Sequence, residues 1–215
     1  AIAHEIRNPV AMISSSLATA TRLDQDESER EEMFSIAAKE AQRLERLTSD
    51  FLTYARPRPV RIAPTNVADT LNYVATVARA HAANEGVAID VSADSKLEAE
   101  FDATQMHQAL LNLVLNAIDA CHRGDQVKLT AQRNGNGTIR IDVVDPVGPI
   151  PADIVGRIFE PLFTTKHGGN GLGLSIARNI ARAHGSDLAL RANEPRQVCF
   201  SIEIRAHARD GSPVS

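Results

Sequence analysis

The sequence predicts an α+β protein in which a helical hairpin forms a four-helix bundle with a second copy and is followed by a two-layer α/β sandwich. Up to about residue 57, apolar side chains recur only at the three- and four-residue spacing of amphipathic helices. The stretch PRPVRIAP then interrupts this spacing with three prolines, as linkers do. Beyond it, helical spacing alternates with stretches in which every second residue is apolar. We therefore expect a hairpin over 1–60, a sandwich over 64–206 and a polar tail over 207–215.

The first predicted helix carries one narrow apolar stripe. At about 100° per residue, its aliphatic residues fall on the same side of the helix: Ile2, Ile6, Val10, Ile13 and Leu17. The polar stretch LDQDESERE follows and predicts a turn. Ser28, with Glu31 and Glu32 nearby, predicts the start of the second helix.

The second predicted helix has the apolar spacing of a coiled-coil seam. The seam consists of Phe34, Ala37, Ala41, Leu44, Thr48, Phe51 and Ala55. A single hairpin buries too little apolar surface to be stable by itself. We therefore expect a homodimer, in which the hairpins of two chains form the four-helix bundle.

The remainder of the chain contains the predicted elements of the sandwich. Three stretches have helical spacing: 66–86, 101–121, with Asp102 as its cap, and 171–185. Five strands are predicted, two of them joined by a turn rich in asparagine and glycine: VAIDVS, the two halves of QVKLTAQRNGNGTIRIDVVD, DLALRA and VCFSIEIRA. Residues 146–170 have no regular pattern. Helices and a mixed sheet together predict two layers.

Composition excludes some classes of function. A net charge of −4 and a pI near 6.0 provide no basic surface for a nucleic acid. Two isolated cysteines, Cys121 and Cys199, fit a reducing compartment, and we expect a cytoplasmic location. No apolar run reaches the roughly 18 residues of a membrane span. We therefore expect the chain itself to be soluble. Because it starts inside a helical pattern without a cap, we expect it to be a fragment of a longer protein. The sequence leaves open whether that parent protein is bound to a membrane.

The stretch AIAHEIRNPV places polar side chains directly before a proline. His4, Glu5 and Asn8 fall on the side of the helix away from the apolar stripe. Pro9 cannot donate to the Glu5 carbonyl, so we expect a bend just after His4. An exposed histidine taken alone is an ordinary solvated residue. When a carboxylate accepts its other proton, however, a neutral imidazole can attack a phosphoryl group.

HEIRNPV resembles the phospho-acceptor box of sensor histidine kinases, of the HE-x-x-N-P type seen in nitrogen-regulation and pilin-regulation sensors. The resemblance implies that His4 is autophosphorylated and that Glu5 serves as its base. It also implies that Asn8 supports phosphatase activity by orienting a water molecule.

NLVLNAID resembles the asparagine box of the same kinases. Asn112 and Asn116 lie four residues apart on one helical face. Taken alone, they could be two polar surface residues, or their amide oxygens could be ligands to Mg²⁺. Related ATPases of the gyrase and Hsp90 superfamily carry a water-activating glutamate at the first position. By this resemblance, Asn112 favours phosphate transfer to a side chain over hydrolysis.

Two further stretches extend the resemblance. FEPLFTTK is similar to the phenylalanine box and its lid, and GGNGLGLSIARNIARAHG is similar to the second glycine box. We expect Phe159 and Phe163 to contribute to packing and not to catalysis. Glycines let the backbone approach phosphates, and the N-terminus of the following helix adds a favourable dipole. The implied nucleotide contacts are Lys166, which could equally be a solvated lysine, Gly169, Gly171, Leu172 and Gly173.

One box departs from the family pattern. The family reads D-x-G-x-G-I where this chain has DPVGPI at 145–150. The resemblance implies that Asp145 accepts a hydrogen bond from the adenine amino group and that Gly148 contacts the nucleotide. Val147 and Pro149 replace the two glycines, so either the loop is shifted around Gly148 or adenine binding is weakened. A second departure is Asp119, where many relatives carry a basic residue facing the phosphates.

The resemblance covers residues 1 to about 206 and implies the ATP-binding fold of the gyrase, Hsp90 and histidine kinase (Bergerat, or GHKL) superfamily. It implies transfer of the γ-phosphate of ATP, with Mg²⁺, to His4 and then to an aspartate of a response regulator receiver domain. The alternatives are a degenerate kinase that binds ATP weakly and acts as a phosphatase or phosphorelay scaffold, and an ATPase without histidine phosphorylation. A purely structural dimerisation module would leave the glycine box unexplained.

Overall fold

The computed structural model describes residues 2–22, 26–56, 58–166 and 169–207, without the side chains of residues 2–5. The chain divides into two compact units. The first unit combines the N-terminal hairpin with the segment Glu160–Leu172. The second unit contains Arg58–Phe159 and the chain from Gly173 onward. Within the described ranges, no helix combines the length and apolar character needed to cross a bilayer.

The hairpin of the first unit consists of helices α1 (Ile2–Ala20) and α2 (Glu27–Ala55), as predicted. Helix α2 begins one residue before the predicted start signal Ser28, because Asp26 occupies the N-cap position with extended backbone. The side of α1 that is buried in the hairpin includes Pro9 and Ala20. On α2, Ala37 and Leu47 are buried.

The predicted apolar residues of the hairpin are divided between its buried side and its surface. On α2, Ala37 is buried, whereas Phe34 is 47% exposed. On α1, Val10 is 44% and Leu17 is 41% exposed. The two helices together therefore leave apolar side chains uncovered, which is the expectation for a hairpin that pairs with another surface.

The second unit is a two-layer sandwich with a five-stranded sheet. Its strand order is β2-β4-β5-β7-β6, in which β2 pairs with β4 in parallel and the other neighbours are antiparallel. A separate pair, β1 with β3, is antiparallel. The elements are β1 (Ala63–Asn66), α3 (Val67–Glu85), β2 (Ala88–Ala93), β3 (Glu98–Phe101), α4 (Ala103–Ala120), β4 (Gln126–Arg133), β5 (Thr138–Asp145), α5 (Gly173–Ala183), β6 (Leu188–Glu194) and β7 (Gln197–Arg205).

The three predicted helices and five predicted strands of this unit are all present. Alternation of apolar residues along a strand explains how the sheet packs, because every second side chain points to the same face. In β5, Ile139, Ile141 and Val143 are buried against the helical layer. The side chain of Asn66 caps α3 by accepting a hydrogen bond from the Asp69 N–H at 3.0 Å. The pair β1 and β3 was not predicted, and the linker prediction is wrong at its last two residues, 63 and 64, which belong to β1.

Candidate functional site

The first candidate site lies on α1. The backbone of His4 and Glu5 is helical, but their side chains lie outside the described residues. Asn8 is exposed, in agreement with the predicted solvent side, and the neighbouring Pro9 is buried. The proline therefore lies inside the helix with its ring against the protein, and Asn8 is open to water and to a partner.

The helix that carries the predicted asparagine box is fixed at its start by Asp102. One oxygen of this carboxylate accepts from the Gln105 N–H at 3.1 Å, and the other accepts from the Arg61 N–H at 3.0 Å. Burial, the largest single effect, opposes ionisation of Asp102, but hydrogen bonds from Arg61 and Gln105 together hold its pKa below its ordinary value. The cap predicted at Asp102 is confirmed, and it also holds the chain that enters this unit.

Asn112 lies where α4 meets the start of α5. A Cβ placed on Gly173, the first residue of α5, would lie 3.8 Å from the Cβ of Asn112. The Asn112 Nδ2 is buried and has no hydrogen-bonding partner within the described part of the chain. A buried amide without a partner is costly in a folded protein, and rotation of the amide would present its oxygen instead. Its chemistry therefore fits a polar ligand, either a phosphate oxygen or a hydrated Mg²⁺ ion.

Asp145 ends β5 and is 5% exposed. Its Oδ1 accepts a hydrogen bond from the Val147 N–H at 3.0 Å. A Cβ on Gly148 would lie 2.8 Å from Val198 Cγ2 and 2.9 Å from the Glu194 carbonyl oxygen. Gly148 is therefore required by packing against the β6–β7 hairpin. This role explains why a glycine remains in the altered DPVGPI loop.

The same loop is held at its end by Asn193 of β6. The Ile150 N–H donates to Asn193 Oδ1 at 2.7 Å, and Asn193 Nδ2 donates to the Ile150 carbonyl at 2.9 Å. Asp119, the other departure from the family pattern, lies 2.7 Å from Nε2 of His81 on α3. Its carboxylate is thus engaged with the neighbouring helix.

The predicted glycine box divides at the boundary of the units. Gly169, Gly171 and the buried Leu172 belong to the segment Glu160–Leu172 of the first unit, together with the half-buried Lys166. A Cβ on Gly171, whose φ is +64°, would lie 2.5 Å from the Leu162 carbonyl carbon. A Cβ on Gly169 would lie 2.9 Å from Thr164 Oγ1. A glycine is therefore required at 171, where the backbone of the segment approaches closely, whereas at 169 the near atom belongs to a side chain that can rotate.

A contact that the sequence did not predict joins this segment to α2. Asn170 Nδ2 donates to Asp50 Oδ2 at 2.5 Å, while Asn170 Oδ1 accepts from the Leu172 N–H at 3.0 Å. Burial raises the pKa of Asp50, and the hydrogen bond from Asn170 and the charge of Arg46 partly oppose that rise. Nothing in the local pattern of α2 distinguishes Asp50 from a solvated carboxylate, which is why the contact was missed.

Two family models match separate parts of the chain. Residues 1–59 match the family described as "His Kinase A (phospho-acceptor) domain". Residues 101–208 match the family described as "Histidine kinase-, DNA gyrase B-, and HSP90-like ATPase". A phospho-acceptor hairpin followed by an ATPase-type sandwich defines a class of two-domain kinases, and this chain belongs to the sensor histidine kinase family.

Two curated relatives illustrate the similarity. The sensor histidine kinase ZraS of Salmonella typhimurium strain LT2 is 31% identical over 209 residues, which cover 97% of this chain and 45% of ZraS. The nitrogen regulation protein NtrY of Azorhizobium caulinodans is 27% identical over 226 residues, which cover 99% of this chain and 29% of NtrY. The chain thus spans less than half the length of either relative.

Solved structures agree with the fold. The crystal structure of histidine kinase ThkA in complex with response regulator protein TrrA superposes with a TM-score of 0.77 at 30% identity, over 96% of this chain and 60% of that chain. The catalytic domain of ThkA has a TM-score of 0.62 at 31% identity, over 67% of this chain and 95% of that one. ShkA in complex with AMPPNP has a TM-score of 0.74 at 24% identity, over 97% of this chain and 45% of ShkA, and shares the fold.

Proposed function

We propose that this chain is the catalytic core of an ATP-dependent protein-histidine kinase. In this proposal, residues 1–60 are the dimerisation and phospho-transfer domain, and residues 64–206 are the ATP-binding domain. The observation that carries the proposal is the buried Nδ2 of Asn112 beside the first residue of α5, for which the described residues provide no hydrogen-bonding partner. In a histidine kinase fold, a buried polar group at that position is suited to bind a nucleotide phosphate.

The proposed reaction forms a bond between a ring nitrogen of His4 and the γ-phosphorus and breaks the bond from that phosphorus to the β–γ bridging oxygen, so that ADP leaves. Glu5 accepts the proton from the other ring nitrogen, which keeps the imidazole nucleophilic. A receiver-domain aspartate then takes the phosphoryl group from His4. The exposed Asn8 is suited to orient the water of a phosphatase reaction.

In the proposed nucleotide site, Asp145 accepts a hydrogen bond from the adenine amino group. Asn112 and Asn116 lie toward the phosphates, together with the N-terminus of α5 at Gly173. When bound, Mg²⁺ would neutralise charge on the phosphate oxygens, and amide oxygens are suitable ligands for it. The remaining proposed contacts are Gly148, Lys166, Gly169, Gly171 and Leu172.

The proposed partners are a second copy of the chain and a response regulator. The exposed apolar side chains of Val10, Leu17, Phe34 and Leu52 on the hairpin support the homodimer. Similarity to ThkA, which was crystallised in complex with a response regulator protein, supports the second partner.

A second candidate function is a degenerate kinase that binds ATP weakly and acts as a phosphatase or phosphorelay scaffold. Two observations favour it. Gly148 is used for packing against Val198 and Glu194, and one oxygen of Asp145 is occupied by the Val147 N–H. If these contacts close the adenine pocket, phosphatase chemistry at Asn8 would remain.

Equilibrium binding of a non-hydrolysable ATP analogue, with and without Mg²⁺, tests the choice. For a kinase we expect binding that strengthens with Mg²⁺ and weakens about tenfold or more in Asp145→Asn, because a charged hydrogen-bond acceptor is lost. The control is Asp153→Asn, since Asp153 is exposed in the same irregular stretch. No measurable binding at millimolar analogue would favour the degenerate kinase, and equal affinity in both variants would contradict the role of Asp145.

A further inference from the structure

Arg178 on α5 forms three contacts that join distant parts of the second unit. Its Nε and Nη2 donate to the two oxygens of Asp187 at 2.8 and 3.0 Å. Its guanidinium carbon lies 4.8 Å from the centroid of the Phe159 ring. Phe159 in turn meets the ring of Phe200 on β7 edge to face, with centroids 6.2 Å apart. A planar guanidinium held by a carboxylate and stacked on a ring has a fixed orientation.

These contacts involve the parts of the chain that flank the segment Glu160–Leu172 on both sides. Phe159 is the last residue of the second unit before the chain enters the segment Glu160–Leu172, and Gly173 is the first residue after it. Gly173 begins α5, the same helix that carries Arg178. Arg178 therefore connects the residue at which the segment leaves the unit with the helix at which it returns.

We infer that Arg178 is a positioning residue for the nucleotide site: it clamps both ends of the segment 160–172 through Phe159 and α5. The inference rests on the proposed function, because that segment contains Lys166 and the glycine-box residues Gly169 and Gly171. Because the two ends of the segment are held at a set separation, fewer of its conformations remain to be lost when a ligand binds.

The chemistry of the clamp keeps it formed under ordinary conditions. Bidentate hydrogen bonding from Arg178 holds the pKa of Asp187 far below its ordinary value, with Arg182 adding to the effect. The carboxylate thus stays charged and keeps the guanidinium oriented at neutral pH. Lysine at 178 would keep the charge but lose the fork and the planar stacking surface.

Four variants test this inference: Arg178→Gln, Arg178→Lys, Phe159→Leu and the double variant Arg178→Gln with Phe159→Leu. The matched control is Arg182→Gln, because Arg182 also donates to Asp187, at 3.3 Å, from the next turn of α5. Hydrogen exchange of the 160–172 amides, measured without nucleotide, reports whether the segment is held. Binding of the ATP analogue and the thermal midpoint are measured in parallel.

We expect faster exchange of the segment in Arg178→Gln and Phe159→Leu, and affinity for the ATP analogue weakened about tenfold, as loss of a partly buried cation–ring contact allows. In both the exchange rate and the affinity, Arg178→Lys should lie between these variants and wild type. The double variant should be no worse than the poorer single variant, because both substitutions break one clamp. Arg182→Gln should resemble wild type.

The inference is overturned if Arg178→Gln keeps wild-type exchange, or if the two single effects add in the double variant. It is also overturned if Arg178→Lys and Arg182→Gln weaken the affinity equally and lower the thermal midpoint equally, because lost stability would then explain the change in affinity. Failure of the proposed function would look different: wild type would bind no ATP analogue, while exchange of the segment would still respond to Arg178→Gln.

Discussion

The imidazole of His184 ties the end of α5 to the start of α4, through a hydrogen bond from the Asp102 N–H to His184 Nε2 at 3.0 Å. Its Nδ1 donates to the Ile180 carbonyl at 2.8 Å, which leaves Nε2 free of a proton and able to accept. This histidine thus holds together the two helices that bring Asn112 and Gly173 close to each other.

Replacing His184 with phenylalanine should destabilise the second unit. The Asp102 N–H would lose its acceptor, and a part-buried donor without a partner costs about 1–3 kcal/mol. Urea unfolding should show a lower midpoint with an unchanged slope. His122→Phe is the control because the His122 side chain is 81% exposed, and equal stability of the two variants would contradict the proposed role of His184.

His107 should titrate below its ordinary value of 6.5, because burial lowers its pKa. Its ring stacks on Tyr73, with centroids 4.2 Å apart. Between the lowered pKa and 6.5 the unfolded chain binds more protons, so the contribution of His107 to stability is present above 6.5 and is lost as the pH falls. An NMR titration should show the midpoint returning toward 6.5 in Tyr73→Ala and unchanged in Tyr54→Ala. A wild-type midpoint at or above 6.5 would contradict the burial of this ring.

Asp50 should titrate above its ordinary value of 3.8, because burial raises its pKa. Between 3.8 and the raised pKa the folded protein binds more protons than the unfolded chain, so stability falls as the pH rises through that window. Asp50→Asn should remove this part of the pH dependence. Asn170→Ala should move the Asp50 midpoint higher still, since the hydrogen bond from Asn170 lowers it. A carboxyl NMR titration in which Asn170→Ala lowers the midpoint would be inconsistent with the contact.

Gly171→Ala should disrupt the segment 160–172. The φ of +64° costs a side chain of order 1 kcal/mol, and the new methyl group would collide with the backbone of Leu162 and Phe163. Hydrogen exchange at the Leu162 N–H, which donates to the Gly171 carbonyl at 2.9 Å, should become faster. Gly156→Ala is the matched control, because nothing lies within 4 Å of a Cβ there. Unchanged exchange in Gly171→Ala would show that the segment adapts.

Sequence patterns predicted those parts of the fold that depend on local chemistry. Helix α4 follows from its apolar spacing and the Asp102 cap, and β5 follows from the alternation of Ile139, Ile141 and Val143 with other residues. The pair β1–β3 was missed because its strands have four residues each, and one of them contains Pro64. Pairing between short, distant strands leaves no periodic signal.

For the candidate site, too, the sequence predicted only the features that depend on local motifs. The resemblance of their motifs to family boxes led us to predict nucleotide-binding roles for Asp145 and Asn112, and these roles remain predictions. The packing constraints on the individual glycines were not predicted: Gly148 is constrained by Val198, which is distant in sequence, and Gly171 by Leu162 across a turn of its own segment. Such requirements appear only when the backbone is in place.

The most direct test of the account is phosphoryl transfer to His4. The chain is incubated with γ-labelled ATP and Mg²⁺, and the stability of the label in acid and alkali is measured together with its position. We predict an acid-labile, alkali-stable label that is lost in His4→Gln and retained in His122→Gln. A label that persists in His4→Gln would contradict the account, as would the absence of label from a wild-type protein that binds Mg²⁺ and ATP.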